Sequence, residues 1–272
     1  MKLSYRNERN AKAIADFWDK PLEGFKCWKI ENQTDNEEEL LIYDIIGWPF
    51  NDASEIVNYL RSISKKDIKV KINSPGGDVF DGMAIYSAMV DHEGLITTQI
   101  DSLAASISSV ISLGGKKRVA HKNAMYMIHE PWTIALGNQY EFNEIANLLG
   151  KISNNLIDIY AENSSIGKRE VKEMMKSETW FTAKEMKEKG FIDDIIEKDG
   201  SKAKFDLSIF NNVPEWAKDN IQLTIRDAEK ALRDKGFSQK DAKALLSGRS
   251  TEGQRDVEKL NEINDLIKSI QI

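Results

Sequence analysis

Hydrophobic positions in the first half of the chain switch between the spacing of strands and that of helices. Residues 40–46 form a short apolar run with β-branched side chains, and residues 68–72 alternate strictly, so both segments are predicted to be strands. Apolar residues recur at helical spacing over 53–64, and residues 79–90 are also predicted to be helical. The pattern predicts three more strands, over residues 96–100, 118–121 and 124–128.

Helices of several kinds are predicted further along the chain. Residues 104–113 are small and apolar with almost no charge, which predicts a helix buried on all sides. Residues 140–162 have the periodicity of a long amphipathic helix, and a shorter helix is predicted over 168–176. Another helix is bounded by the capping box Thr182-Ala-Lys-Glu185 and by Gly190 after its end. This repeated alternation of strands and helices predicts an α/β fold.

Changes in composition divide the chain into three parts. Residues 1–39 are polar and irregular, and we interpret them as an N-terminal arm before an α/β domain over residues 40–197. Residues 198–272 are predicted to form a C-terminal helical extension, because capping boxes at Thr224…Asp227 and Ser238…Asp241 indicate a helical hairpin. Basic and acidic residues balance in this extension, whereas a DNA-reading helix-turn-helix normally carries a basic excess. A protein-docking or structural appendage is therefore the favoured interpretation.

Composition and charge argue against several classes of protein. Of the 272 residues, 41% are hydrophobic and 30% are charged, as in an ordinary soluble globular protein. A formal net charge of −6 argues against nucleic acid as a partner. The sequence has no long apolar run and no secretion signal, so we expect a cytoplasmic protein that does not contact a membrane. A single cysteine, Cys27, and three scattered histidines lead us to expect no disulfide, no metal and no cofactor.

The segment Asn73-Ser-Pro-Gly-Gly77, which follows a predicted strand, has two interpretations. One is an ordinary tight turn, which this composition favours. The other is a turn whose glycines let a ligand approach the backbone and whose N–H groups stabilise an oxyanion. The segment does not match the phosphate-binding loop, and no other segment does, so the sequence does not indicate an NTPase.

Three side chains are candidates for chemistry, and each also has a purely structural interpretation. Ser106 is predicted near the start of the small-residue helix, where a serine is either a satisfied core hydroxyl or a nucleophile favoured by the helix dipole. His129 ends a predicted strand, where a rigid scaffold can present a base to a cleft. Glu178 is predicted in a short loop, where an acidic side chain is by default solvated. On composition alone, three serines compete with the first candidate: Ser108, Ser109 and Ser112.

Four motifs, in order along residues 40–197, resemble those of the ClpP serine peptidase family. They are Asn73-Ser-Pro-Gly-Gly77, Ala104-Ala-Ser106, Met127-Ile-His-Glu-Pro131 and Glu178-Thr-Trp-Phe-Thr182, followed by Gly190-Phe-Ile-Asp193. The sequence most closely resembles the ClpP-related head maturation (prohead) proteases of tailed phages, of which Gly47-Trp48 and Asp78-Val-Phe80 are typical. The resemblance implies a ClpP/crotonase-like spiral of β-β-α units, a handle helix from Tyr140 and a C-terminal helical appendage.

The resemblance also assigns roles to individual residues. Ser106 matches the family's nucleophile, and His129 matches its general base. Gly77 and Ile107 match the two residues whose backbone N–H groups form the oxyanion hole. Glu178 stands where the family has its triad acid, which is commonly an aspartate.

By resemblance, the expected function is an ATP-independent serine endopeptidase that cleaves scaffold or capsid precursor proteins during phage prohead maturation. The enzyme would act in the host cytoplasm, inside proheads, as a ring-shaped homo-oligomer that encloses its active sites. Its partners would be polypeptides, with no nucleic acid and no membrane. Three alternatives stay open: a housekeeping ClpP subunit working with an AAA+ unfoldase, a crotonase-fold acyl-CoA enzyme, and a catalytically inactive assembly protein.

Overall fold

The computed structural model describes residues 28–31, 37–47, 50–198, 207 and 210–214. These residues contain eight strands that join into one mixed sheet. In chain order the strands are β1 (Trp28–Glu31), β2 (Glu37–Tyr43), β3 (Asp67–Ser74), β4 (Ile96–Ala105), β5 (Lys117–His121), β6 (Met125–Ile128), β7 (Thr179–Thr182) and β8 (Asp194–Ile196).

Strand β4 is the centre of the sheet. The main strand order is β1-β2-β3-β4-β5-β8, with β2, β3, β4, β5 and β8 parallel to one another and β1 antiparallel at the edge. The first part of β4 pairs with β5, whereas its last residues pair in parallel with β6, which in turn pairs with the antiparallel β7. The ends of β4 and β6 therefore lie side by side, and β7 begins beside the end of β6 and runs in the opposite direction.

Helices connect most of these strands, as an α/β fold requires. Within the described part of the chain they are α1 (Ala53–Ser62), α2 (Val79–Val90), α3 (Ile107–Ser112), α4 (Gln139–Glu162), α5 (Lys168–Lys176) and α6 (Ala183–Glu188). Four of them begin at a residue whose side chain accepts a backbone N–H of the first turn: Asp52, Asp78, Asn138 and Thr182. The predicted α/β class and the predicted helices over 140–162 and 168–176 are confirmed.

The two faces of the sheet bury different clusters. Alternate residues of a strand point to opposite faces. In β4, Ala104 belongs to the main core with the helices, whereas Leu103 and Ala105 belong to a second, smaller cluster. Met125, Met127, Trp180, Leu207 and Phe210 complete that second cluster.

The sheet begins earlier than the sequence pattern predicts. Residues 28–31 and 37–39, which were predicted to belong to an N-terminal arm over 1–39, are strand residues. The start of β2 was not predicted as a strand because its residues are acidic. In the fold, two of these charges have partners. Glu38 accepts a hydrogen bond from the Tyr59 hydroxyl and pairs with a lysine, and Glu39 lies near two lysines of β3. Residues 1–27 lie outside the described part.

The small-residue segment over 104–113 is not one helix, so that prediction is wrong. Strand β4 continues to Ala105, and the helix α3 begins only at Ile107. A segment that is buried on all sides has no polar face, so periodicity does not distinguish a strand from a helix there. The junction between them is the position of Ser106.

The predicted C-terminal extension over 198–272 is described only in part. Leu207 and Phe210 are buried in the second cluster, so the start of this segment packs against the α/β domain. The predicted helical hairpin over 224–248 lies outside the described residues. The division into arm, domain and extension therefore stays a prediction beyond these contacts.

Candidate active site

Ser106 occupies a strained turn between a strand and a helix. Its backbone has φ 55° and ψ −133°, and a positive φ is uncommon for a residue other than glycine. Its N–H donates to the carbonyl of Met127 at 3.0 Å, so the neighbouring strand β6 fixes the turn. Such strain clusters at functional sites, because the surrounding structure must hold it in place.

The glycine turn after β3 packs directly against Ser106. A Cβ on Gly76 would lie 2.6 Å from the Cβ of Ser106 and 3.1 Å from its Oγ. The φ of Gly76 is +102°, which is also unfavourable for any residue with a side chain. Position 76 therefore requires glycine on two independent grounds, and the segment over 73–77 is more than an ordinary turn.

His129 makes a direct hydrogen bond with Ser106. The distance between Nε2 of His129 and Oγ of Ser106 is 2.7 Å. The contact follows from sheet register, because β4 and β6 are parallel and pair Ala105 with Met127 near their ends. Ser106 and His129 are thus brought together at the carboxyl ends of adjacent parallel strands, where α/β sheets commonly place their sites.

The competing serines have structural roles. The hydroxyl of Ser108 contacts the carbonyl oxygens of Ser74 and Ala105, and Ser112 donates to a carbonyl of its own helix. Ser109 is bonded to the carbonyl of Ser106 and to the hydroxyl of Tyr160. Among the described serines of α3 and its start, only Ser106 makes a hydrogen bond with a histidine, which distinguishes it from the other three.

Gly77 and Ile107, the predicted oxyanion donors, flank this pair. Gly77 belongs to the same turn as Gly76, and Ile107 directly follows Ser106 as the first residue of α3. Within the described part of the chain, neither residue's N–H donates a hydrogen bond. A backbone N–H without a partner is available to a developing oxyanion. A side chain on Gly77 would also collide with the backbone, since its Cβ would lie 2.1 Å from the oxygen of Ile46.

Glu178 lies beside His129. It was expected to be a solvated loop residue, but the structure buries it. It precedes strand β7, which the sequence pattern missed, and only 7% of its surface is exposed. The antiparallel register pairs Ile128 with Thr179, so His129 and Glu178 are the next residues along their strands. Glu178 has φ 47°, so it too has a strained backbone.

The carboxylate of Glu178 is held by another part of the chain. Its Oε2 accepts the N–H of Asn211 at 2.8 Å, and its Oε1 accepts the N–H of Asn212 at 2.7 Å. The indole N–H of Trp180 adds a longer contact of 3.3 Å to Oε1. Among the hydrogen bonds of the described residues, none joins Glu178 to His129.

Burial and charge act in opposite directions on the pKa of His129. Burial is the larger effect and lowers the pKa of the imidazole below its ordinary 6.5, while the negative charge of Glu178 raises it. The net result is a lowered pKa, which keeps the imidazole neutral at pH 7. A neutral imidazole can accept a proton from the Ser106 hydroxyl, which is what a general base must do.

Sequence reasoning missed the segment that holds Glu178. Its hydrogen-bond donors are backbone groups, which no residue type reveals. One signal is present in the sequence, because Leu207, Phe210 and Val213 recur every three residues, and all three contribute to the second cluster.

Two further observations concern metal binding and membrane-spanning helices. In the part of the chain that the structure describes, no group of three His, Cys, Asp or Glu side chains could hold a metal ion. Nor is any helix among the described residues long and apolar enough to cross a membrane.

A serine on a strained strand–helix turn, hydrogen-bonded to a histidine and next to a glycine turn, has the geometry of a serine hydrolase site. Residues 25–199 match the family described as Clp protease, and the chain belongs to that family. Membership implies a serine peptidase fold, and proteins of this family form rings and act on polypeptides. The predicted resemblance to ClpP peptidases is therefore confirmed, whereas the prohead branch stays a prediction.

Curated relatives carry the name ATP-dependent Clp protease proteolytic subunit. The chain is 35% identical over 143 residues to that protein of Bacteroides fragilis, covering 52% of this chain and 69% of the relative. It is 36% identical over 141 residues to that of Leuconostoc citreum, covering 50% and 70%. It is 37% identical over 137 residues to that of Streptococcus pneumoniae, covering 49% and 70%.

Proposed function

We propose that the protein is a serine endopeptidase in which Ser106 is the nucleophile and His129 the general base. The observation that carries the proposal is the 2.7 Å contact between Ser106 Oγ and His129 Nε2. That distance lies within the range a nucleophile and its base need for proton transfer. The family match supports a peptidase over the acyl-CoA enzyme that shares the fold.

In the proposed mechanism, His129 takes the hydroxyl proton as Ser106 attacks the carbonyl carbon of a peptide bond. The carbonyl oxygen becomes an oxyanion, which the N–H groups of Gly77 and Ile107 stabilise. His129 then gives its proton to the leaving amine, and an acyl-enzyme remains on Ser106. Water, deprotonated by the same imidazole, releases the acyl group and restores the serine.

Glu178 is proposed as the acidic member of the site. In the described conformation its carboxylate acts on His129 through its field, which favours the imidazolium that forms during attack. A triad acid usually also orients the imidazole by accepting a hydrogen bond from Nδ1. Among the described residues, this hydrogen bond is not formed in this conformation. Glu178 therefore contributes less than an acid that is hydrogen-bonded to its histidine.

The proposed biological role is maturation of a phage prohead by cleavage of scaffold or capsid precursor proteins. This role is supported by the prohead-like motifs around the site and by a chain that continues past the family-matched residues 25–199. Ring assembly is proposed through the handle helix α4, whose start exposes large apolar side chains: Tyr140, Phe142 and Leu148.

A second candidate role is that of a proteolytic subunit fed by a separate AAA+ unfoldase. The curated relatives favour it, because each is named as the proteolytic subunit of an ATP-dependent protease. The two roles share the chemistry and differ in the source of unfolded substrate.

One experiment tests the chemistry and separates the two roles. Purified protein is incubated with an unfolded polypeptide without nucleotide, and Ser106→Ala is assayed beside it. Cleavage by the wild type and none by the variant supports the endopeptidase, whereas equal cleavage overturns it. Affinity purification from the native cell then distinguishes a co-purified AAA+ ATPase, which indicates the second role, from capsid and scaffold proteins, which indicate the first.

A further inference from the structure

A short segment beyond the α/β domain covers one side of the proposed active site. This segment, called the clamp segment here, consists of Leu207 and residues 210–213. Leu207 is 2% exposed and Phe210 8% exposed, and both pack in the second cluster with Trp180 and the methionines of β6. The two residues are also joined by a hydrogen bond, in which the N–H of Phe210 donates to the carbonyl of Leu207 at 3.0 Å.

Phe210 contacts the general base directly. Its ring lies 5.9 Å from the imidazole of His129, centroid to centroid, and the two planes are nearly perpendicular at 83°. On its other side the ring packs at 5.5 Å against Trp180, with planes 79° apart. Edge-to-face packing of this kind is favourable and directional, so it restricts the rotation of both neighbouring rings.

The same segment holds the acid. Consecutive N–H groups of Asn211 and Asn212 each donate to one oxygen of Glu178, so both carboxylate oxygens are fixed. The side chain of Asn212 donates in addition to the carbonyl of Ser177 at 2.8 Å. Three hydrogen bonds thus attach the segment to the two residues that precede β7.

The clamp segment lies outside the part of the chain that matches the Clp protease family. The match covers residues 25–199, whereas the segment begins at Leu207. Within the proposed site, its contacts include the ring of His129 and the carboxylate of Glu178.

We propose that the clamp segment is a positioning element of the active site, in which Phe210 sets the orientation of His129 and the N–H groups of Asn211 and Asn212 set that of Glu178. The inference rests on the proposed serine peptidase mechanism. It assigns to packing by Phe210 the orienting role that a hydrogen bond from the acid usually has.

The physical reason is that one hydrogen bond does not fix an imidazole. Nε2 of His129 is bonded to Ser106, but within the described residues Nδ1 has no hydrogen-bond partner. Without a second restraint the ring can rotate about its bonds to the backbone and lose the contact with Ser106. The ring of Phe210 is buried, lies against the imidazole and supplies that restraint.

Phe210→Ala is the primary test, with Val213→Ala as the matched control. Val213 packs against the same cluster, whereas the ring contact with His129 and the backbone hydrogen bonds to Glu178 come from residues 210–212. We expect Phe210→Ala to lower kcat by about tenfold to 100-fold with little change in KM, since misplacement of a catalytic group affects the transition state most. Phe210→Leu restores part of the packing and should recover part of the activity, while Val213→Ala should retain it.

The pH profile supplies a readout that a merely structural role would not move. Phe210 contributes to the burial that lowers the pKa of His129, and among the described charged groups Glu178 is the one that acts on that pKa. Removing the ring admits water, so the pKa of His129 rises and the acidic limb of kcat/KM moves to higher pH. Titration of His129 by NMR, assigned against His129→Ala, measures the same shift without any activity.

A second pair of variants tests the hold on Glu178. Asn212→Pro removes the N–H that reaches Oε1 together with the side-chain bond to Ser177, whereas Asn212→Ala removes only the side-chain bond. The positioning role predicts a larger loss of kcat in the proline variant than in the alanine variant. Equal kcat in the two variants would contradict the role of the backbone donor.

The possible results distinguish failure of the positioning role of the clamp segment from failure of the proposed peptidase function. If the wild type reacts at Ser106 but Phe210→Ala keeps wild-type kcat and an unshifted His129 pKa, the positioning role is overturned. Higher kcat in Phe210→Ala also overturns it, because the segment would then inhibit the site. If the wild type does not react at Ser106, the proposed function fails, and the unchanged or raised pKa of His129 still decides whether Phe210 acts on the imidazole.

Discussion

The two halves of the candidate site are built in different ways. Ser106 and His129 lie at the ends of adjacent parallel strands, with Gly76 packed beneath the serine, and all three fall within the family-matched residues. Glu178 lies at the start of an antiparallel strand and is held by backbone groups more than thirty residues away. The first half is fixed by sheet register and the second by a segment outside the family match. We therefore expect substitutions in the first half to have larger effects on catalysis.

The largest effect is expected from removing the nucleophile. Ser106→Ala leaves His129 without the hydroxyl it deprotonates, and kcat for peptide hydrolysis should fall by at least about 10⁴-fold. Assembly, measured by size-exclusion chromatography with light scattering, should be unchanged, because the substitution removes one half-buried oxygen. Residual cleavage comparable to the wild type would place the nucleophile elsewhere.

A substitution in the glycine turn should have the next largest effect. In Gly76→Ala the new methyl group collides with Ser106, and the φ of +102° becomes strained, so the serine and the turn must move apart. We expect kcat to fall by about 10²-fold, as when a catalytic group is misplaced by about 1 Å.

Gly150→Ala is the matched control for that substitution. Gly150 lies within α4, and a Cβ there meets nothing within 4 Å. Since alanine is a better helix former than glycine, this variant should unfold at equal or higher temperature and retain full kcat. Similar losses in both glycine variants would show that the effect at position 76 is not specific to the site.

The acidic half should tolerate change better. Glu178→Gln keeps the size of the side chain and removes its charge, so kcat should fall by about tenfold, well below the ~10⁴-fold loss known for an acid bonded to its histidine. Because the charge of Glu178 raises the pKa of His129, its loss lowers that pKa further below 6.5. The acidic limb of kcat/KM should therefore move to lower pH, opposite to the shift expected for Phe210→Ala.

Glu130→Gln is the control for the charge effect. Glu130 follows His129 directly but is exposed, and its charge is not among the causes that shift the pKa of His129. Its pH profile should match that of the wild type. A loss near 10⁴-fold in Glu178→Gln would contradict the smaller role assigned to the acid and would make the two halves of the site equivalent.

The smallest effect on catalysis is expected behind the nucleophile, at Ser109. Its hydroxyl bonds the buried hydroxyl of Tyr160, so Ser109→Ala leaves that hydroxyl without its partner and should lower the free energy of unfolding by about 1–3 kcal/mol. Activity should fall by less than tenfold. In the Ser109→Ala background, Tyr160→Phe should lower the free energy of unfolding by less than it does in the wild type. Additive losses in the double-mutant cycle would contradict the pairing.

The first half of the site was predictable because its signals are local. A strand pattern followed by two glycines, a serine after small residues and a histidine before proline identify Gly77, Ser106 and His129 within the family resemblance. The boundary of α3 was wrong, since a fully buried segment shows no periodicity. The positive φ of Ser106 likewise has no sequence signal, because tertiary packing imposes it.

The second half was not predictable for a physical reason. Strand β7 has only four residues, and the donors that hold Glu178 are backbone N–H groups, which every residue other than proline has. The early strands were hidden by an acidic run whose charges are paired within the fold. Non-local pairing of this kind becomes visible only when the chain is folded.

The central claim is that His129 activates Ser106, and labelling with a fluorophosphonate probe tests it most directly. The purified wild type, Ser106→Ala and His129→Ala are treated at pH 7, and the modified residue is mapped by mass spectrometry. We predict modification of the wild type at Ser106, no modification of Ser106→Ala, and a rate at least about 10³-fold lower in His129→Ala. Modification of another serine, or wild-type labelling of Ser106 in His129→Ala, would contradict the account.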